Sequence, residues 1–249
     1  MTPRHLIAGN WKMNGLTTSL DEARAIAASL AEAPAAAEVA LCPSATLVSS
    51  MAQTLTGTSV LVGGQDCRAE ASGAFTGDIA AEQLQDAGAT LVILGHSERR
   101  AGHGETDAVV AAKVEAALRA NLRPVVCVGE TLQEREAGSA IAVVTGQVAE
   151  SLPPSLAKAA FAVAYEPVWA IGSGLTPTIA QIEEIHIAIR GVLVAKFGEH
   201  GKTAPILYGG SVKPANAKEI LAAAEVGGAL VGGASLKAAD FLPIIRSVG

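Results

Sequence analysis

The stretch HLIAGNWKMNG (residues 5–15) decides between two ways of folding this chain. Its first half is apolar and rich in strand formers, as expected of a strand buried on both faces of a parallel sheet. An open doubly wound sheet carries a phosphate-binding G-x-G-x-x-G turn directly after such a first strand. Here the turn reads GNWKMNG, which lacks that spacing. A closed barrel is the alternative, and it requires eight strands alternating with helices in about 250 residues.

The rest of the chain has that rhythm. Seven further apolar runs follow: EVALC (38–42), SVLVGG (59–64), TLVILG (90–95), RPVVCVG (123–129), AFAVAYE (160–166), PILYGG (205–210) and GALVGG (228–233). Helical patterns lie between them. SLDEARAIAASLAEA (19–33) sets Ala23, Ile26, Ala27 and Leu30 on one face. TDAVVAAKVEAALRA (106–120) opens with a Thr-Asp cap signal and repeats Val110, Val114, Ala117 and Leu118. TIAQIEEIHIAIRGVLVAKFG (178–198) follows Pro177, stripes Ile182, Ile185 and Ile189, and closes with Gly198. No linker or change of composition divides the 249 residues. The expected fold is therefore α/β, a single-domain (β/α)8 TIM barrel with a parallel eight-stranded core and no second domain.

Composition narrows the function. Hydrophobic residues are 50% and charged residues 17%, so a large core is expected; aromatics are 3%, so that core is aliphatic. The net charge is -6 with no basic cluster, which argues against a nucleic-acid partner. No apolar run reaches the ~18 residues of a membrane span, and MTPRHLIAGNWK lacks the apolar centre of a signal peptide. Three cysteines, Cys42, Cys67 and Cys127, form neither a disulfide framework nor a zinc pattern. A soluble, cytoplasmic protein is expected.

In a barrel the C-terminal ends of all strands face one pocket. There this chain places Asn10 and Lys12, then His96, Ser97, Glu98 and Arg99 from GHSERR, then Glu166, Ser211, and the pair Gly232 and Gly233. Taken singly, Lys12 reads as a solvated lysine, His96 as a turn residue, and Cys127 as core packing. His5, His103, His186 and His200 read as structural or solvent-facing. Glu166 is different, because a carboxylate after AFAVAY is costly to bury unless it is paired or protonated. An amine, an imidazole and a carboxylate converging on one rim fit acid–base chemistry better than three separate accidents. The glycine turns after the seventh and eighth strands suit a phosphate, which backbone N–H groups and helix N-termini attract. No metal-ligand pattern accompanies them, so chemistry without metal or cofactor on a small phosphorylated compound is expected.

The motifs GNWKMNG, SGAFTGD, GHSERR, CVGET, AYEPVWAIGSG, YGGSV and VGGASL occur in order across residues 8–236. Together they resemble the triosephosphate isomerase family. The resemblance implies interconversion of dihydroxyacetone phosphate and D-glyceraldehyde 3-phosphate in glycolysis and gluconeogenesis. It implies Glu166 as general base, His96 as neutral electrophile, Lys12 as the charge that offsets phosphate and enediolate, Asn10 as a positioning group, and Glu98 as the partner of Lys12. Gly172, Ser211, Gly232 and Gly233 would offer N–H groups to the phosphate. Pro167, Val168, Trp169, Ala170, Ile171, Gly172, Ser173 and Gly174 would form a lid. The family's homodimer places Thr76 against the neighbouring site.

Three positions depart from the family's commoner pattern: GSG for GTG at Ser173, TGD for TGE at Asp78, and GGQD for GGQN at Asp66. The last two fall in the dimer segment. Two other readings compete, a different sugar-phosphate isomerase on the same barrel and a catalytically silent scaffold. Retention of Lys12, His96 and Glu166 together argues against both.

Overall fold

A computed structural model describes residues 5–173 and 175–248. Eight parallel strands close in chain order: β1 (Leu6–Asn10), β2 (Glu38–Cys42), β3 (Val60–Gly64), β4 (Leu91–Leu94), β5 (Arg123–Val128), β6 (Ala162–Tyr165), β7 (Ile206–Tyr208) and β8 (Gly228–Val231). Closure is visible at Ala8, which lies opposite Ala40 of β2 on one side and Leu230 of β8 on the other. The fold is the single-domain (β/α)8 barrel expected from the sequence.

Side chains along each strand alternate between two cores, as the twofold strand period requires. The inner core is small and aliphatic: Leu6, Ala8, Ala40, Cys42, Leu91, Ile93, Val125, Cys127, Ala162, Ala164, Leu207 and Leu230. It contains no aromatic residue, which suits the narrow interior of an eight-stranded barrel. Gly63 shows how tight it is: a Cβ there would lie 2.7 Å from Cys42 Sγ. The bulkier Ile7, Leu41, Val92, Val126, Val163, Tyr165 and Tyr208 point outward into a second core shared with the helices.

The helices are α1 (Leu20–Glu32), α2 (Ala45–Thr54), α3 (Ala81–Asp86), α4 (Ser97–His103), α5 (Asp107–Arg119), α6 (Leu132–Glu136), α7 (Ala140–Ser151), α8 (Ile179–Phe197), α9 (Glu199–Thr203), α10 (Pro214–Leu221) and α11 (Ala238–Ile245). The faces read from the sequence are the buried ones in α1, α5 and α8; only Leu118 is half-buried rather than buried. Thr178 caps α8 by accepting from the Gln181 N–H, while Gln181 accepts from the Thr178 N–H at 2.9 Å. Gly198 ends α8 at φ 58, a conformation that glycine adopts without a Cβ clash. β7 stops at Tyr208, short of the glycines that ended its sequence run. There Gly209 passes so close to Glu166 that a Cβ would lie 2.9 Å from its Cγ. No helix among the described residues is long and apolar enough to cross a membrane.

Candidate active site

The rim begins with the turn after β1. Asn10 is buried, and its Oδ1 accepts from the Lys12 N–H at 3.0 Å. That contact helps hold Lys12 at φ 52, a left-handed conformation costing a non-glycine residue about 1 kcal/mol. Gln65 pins the same turn by donating to the carbonyls of Lys12 and Cys42, each at 2.9 Å. The strained backbone sends the Lys12 amine to Glu98, where Nζ and Oε1 are 2.6 Å apart. Partial burial pushes the Glu98 carboxyl up, but its bond to Lys12 and the charge of that lysine outweigh this. The net result lies below the ordinary carboxylate value.

His96 caps α4, and its Nδ1 accepts from the Glu98 N–H at 3.2 Å. An imidazole that accepts at Nδ1 carries its single proton at Nε2. That Nε2 lies 2.8 Å from Glu166 Oε1. The other Glu166 oxygen accepts from the Ser97 N–H at 2.9 Å, at the first turn of α4. Glu166 is only 2% exposed, and the two oxygens of this buried carboxylate meet the imidazole and a backbone N–H. Both groups come from the single stretch His96–Ser97. The site therefore joins the ends of β1, β4 and β6, which are distant in the chain and adjacent only once the barrel closes.

A cavity of about 400 Å³ opens beside these groups. It is lined by Asn10, Lys12, His96 and Glu166 on one side and by Ile171, Gly172, Ser211, Gly232 and Gly233 on the other. Among the described residues, the N–H groups of Ser211, Gly232 and Gly233 find no acceptor within the protein. Lining a cavity, they form a place for an anion rich in oxygens. No group of three or more His, Cys, Asp or Glu that could hold a metal ion occurs among the described residues.

The stretch expected to form a lid is held in part by its own contacts. Residues Val168–Ala170 form a 3-10 turn, with Ala170 buried rather than presented to the cavity. Ile171 and Gly172 are the lid residues that line the cavity. Ser173 Oγ donates to Trp169 O at 2.7 Å, so the serine hydroxyl is used inside the loop. Gly174 lies outside the described residues. Trp169 Nε1 donates to Glu130 Oε1 at 2.9 Å, an oxygen that also accepts from Tyr165 Oη at 3.1 Å. Glu130 went unread in the sequence although its signal was present: like Glu166, it is an acid directly after an apolar strand run.

Thr76 is exposed, in the segment between β3 and α3, and does not line this cavity. Asp78 pairs with Arg68 of its own segment at 2.9 Å. Asp66 meets Lys113 at 2.7 Å and Arg99 at 2.9 Å. Burial raises the Asp66 carboxyl above its usual value in spite of those two cations, with Glu105 adding to the rise.

Such a fold, with such a rim, is that of a (β/α)8-barrel isomerase. A sequence profile described as "Triosephosphate isomerase" matches residues 5–248. The chain is 63% identical to the triosephosphate isomerase of Caulobacter vibrioides, covering 99% of this chain and 98% of the relative. It is 57% identical to that of Hyphomonas neptunium, covering 98% of each. The crystal structure of triosephosphate isomerase from Bartonella henselae superposes with a TM-score of 0.91 at 48% identity, covering 98% of each chain. The chain belongs to the triosephosphate isomerase family.

Proposed function

We propose that this protein interconverts dihydroxyacetone phosphate and D-glyceraldehyde 3-phosphate through an enediolate, serving glycolysis and gluconeogenesis in the cytoplasm. The observation that carries the residue-level reading is the 2.8 Å approach of His96 Nε2 to Glu166 Oε1 at the edge of the cavity. The roles are those of the family, carried over on matching motifs. Glu166 takes a proton from the carbon next to the carbonyl and returns it to the neighbouring carbon. His96 donates its Nε2 proton to the oxygen where negative charge develops. Lys12, held by Glu98 and Asn10, offsets the charge of phosphate and enediolate. Gly172, Ser211, Gly232 and Gly233 receive the phosphate. A base, a donor and fixed charges suffice for this proton transfer, so the reading includes no metal or cofactor.

The geometry adds one requirement. In this structure the single Nε2 proton of His96 sits beside Glu166 Oε1, the two heavy atoms 2.8 Å apart. Substrate that accepts this proton releases Glu166 Oε1, so the carboxylate is freed by the arrival of the molecule it attacks. The lid, Pro167 to Gly174, then covers the intermediate and keeps water from it. We read the active state as a homodimer. A second cavity of about 460 Å³ lies on the other side of Lys12 and His96, lined by Met13, Gln65, Asp66 and Arg99. Beside it Met13 is 96% exposed, and residues 71–78 are exposed throughout. A second copy presenting Thr76 fits that arrangement; light scattering that finds only a 25.1 kDa species at micromolar concentration overturns it. The isomerase reading itself is tested by a coupled assay with D-glyceraldehyde 3-phosphate. Turnover is expected, and its absence from correctly folded protein overturns the proposal.

A further inference from the structure

We infer that Trp11, whose side chain faces away from the reacting groups, sets phosphate affinity by holding the turn at residues 232–235 in place from behind. The inference rests on the phosphate site read above. Trp11 stands between Asn10 and Lys12, and strand alternation turns its ring outward while Asn10 turns inward. The ring is 1% exposed. It is packed so closely beneath Gly15 that a Cβ on that glycine would lie 2.9 Å from the ring. Its indole N–H crosses 224 positions of sequence to donate to Ser235 O at 3.1 Å.

Ser235 is itself fully buried and has no room to shift, since a Cβ on Gly9 would lie 2.7 Å from its own Cβ. It holds the turn twice: its N–H donates to Gly232 O at 2.8 Å and its Oγ donates to the same oxygen at 2.7 Å. The carbonyl of Gly232 is therefore committed backwards, away from ligand, and its N–H and that of Gly233 are left for the cavity. β1 thus governs both halves of the site. Asn10 and Lys12 reach the site with their own side chains, and Trp11 between them acts on the phosphate end from behind, through Ser235. Trp11 is a positioning residue and touches no substrate.

The test is Trp11→Phe, which keeps an aromatic ring in the same buried place and removes the indole N–H together with part of the ring. Loss of one such hydrogen bond corresponds to about a five- to tenfold change in an equilibrium constant. The inhibition constant of inorganic phosphate and KM for D-glyceraldehyde 3-phosphate are expected to rise by that factor, with kcat within about twofold of wild type. Ser235→Ala, which removes the hydroxyl but not the amide bond to Gly232, is expected to raise both constants about threefold, and it decides the matter if Trp11→Phe does not fold. Phosphate affinity is also read by direct titration, which needs no turnover. A wild type that binds phosphate but does not isomerise would refute the isomerase reading and leave this inference standing. Phosphate affinity unchanged in a folded Trp11→Phe, or a fall confined to kcat, overturns it.

Discussion

Glu130 and Glu166 stand just beyond the ends of the neighbouring strands β5 and β6, 0% and 2% exposed. Each follows an apolar run, and each would be costly to bury without partners. Their partners differ. Glu130 gathers Tyr165 Oη, Trp169 Nε1 and, at 3.4 Å, the Arg135 guanidinium on a single oxygen, Oε1. These donors belong to β6, to α6 and to the turn that follows β6, and Glu130 does not line the cavity. Glu166 divides its oxygens between His96 Nε2 and the Ser97 N–H, and it borders the cavity. A carboxylate beside a guanidinium and two fixed aromatic donors acts as a clamp. One that borders a cavity beside an imidazole, with only a backbone N–H to hold it, is open to an entering ligand. Burial alone separates neither from the other.

The sharpest way to break this contrast is to neutralise each acid. Glu166→Gln keeps the shape and removes the base, so kcat should fall by about 10²–10⁴, the usual range for a general base, in a steady-state assay. Glu130→Ala should leave kcat within tenfold. It should cost about 3 kcal/mol of folding stability in urea titration, because a buried charged group loses its partner. Equal losses of kcat in the two variants would abolish the distinction.

A smaller effect tests how dry the Glu130 side is. His186 of α8 packs edge-on against Tyr165, with ring centroids 5.8 Å apart. Its Nδ1 meets Glu225 O at 3.2 Å and its Nε2 has no partner. Burial lowers its pKa to about 4, the Glu225 carbonyl opposing the shift and Arg190 adding to it. The unfolded chain binds this proton near pH 6.5 and the folded chain only near 4. Between those values the unfolded state holds more protons, so the contribution is complete above pH 6.5 and is lost as the pH falls towards 4. At pH 5 the loss is about 2 kcal/mol. Urea midpoints at pH 7 and pH 5 should show it in the wild type and show it diminished in His186→Gln. An unchanged pH dependence in that variant places the titration elsewhere.

Much of this was legible in the chain. The eight strands lie within the eight apolar runs, because a strand covered on both faces must be apolar along its whole length. Asn10, Lys12, His96 and Glu166 could be gathered on one rim because parallel strands end on one side of a barrel. Between β5 and β6 the amphipathic pattern of α6 and α7 went unread. Glu130 lay inside the quoted motif CVGET but was given no role, although its context repeats that of Glu166. Nothing local marked Ser97 as a donor through its backbone, or joined Trp11 to Ser235.

The sequence by itself determined the alternation of strands and helices and the aliphatic inner core, and it named the candidates for acid–base chemistry. The first two follow from local periodicity and from the free energy of burying each side chain, the last from the motifs shared with the family. Only the closed barrel decided which groups touch. The proton of His96 stands on Nε2 because α4 offers its Nδ1 an amide. Glu166 is poised and Glu130 is clamped because different donors reach them. Trp11 reaches the glycine turn after β8 because β8 returns to pair with β1. Such contacts join residues far apart in the chain, and local sequence carries no record of the distances that closure sets.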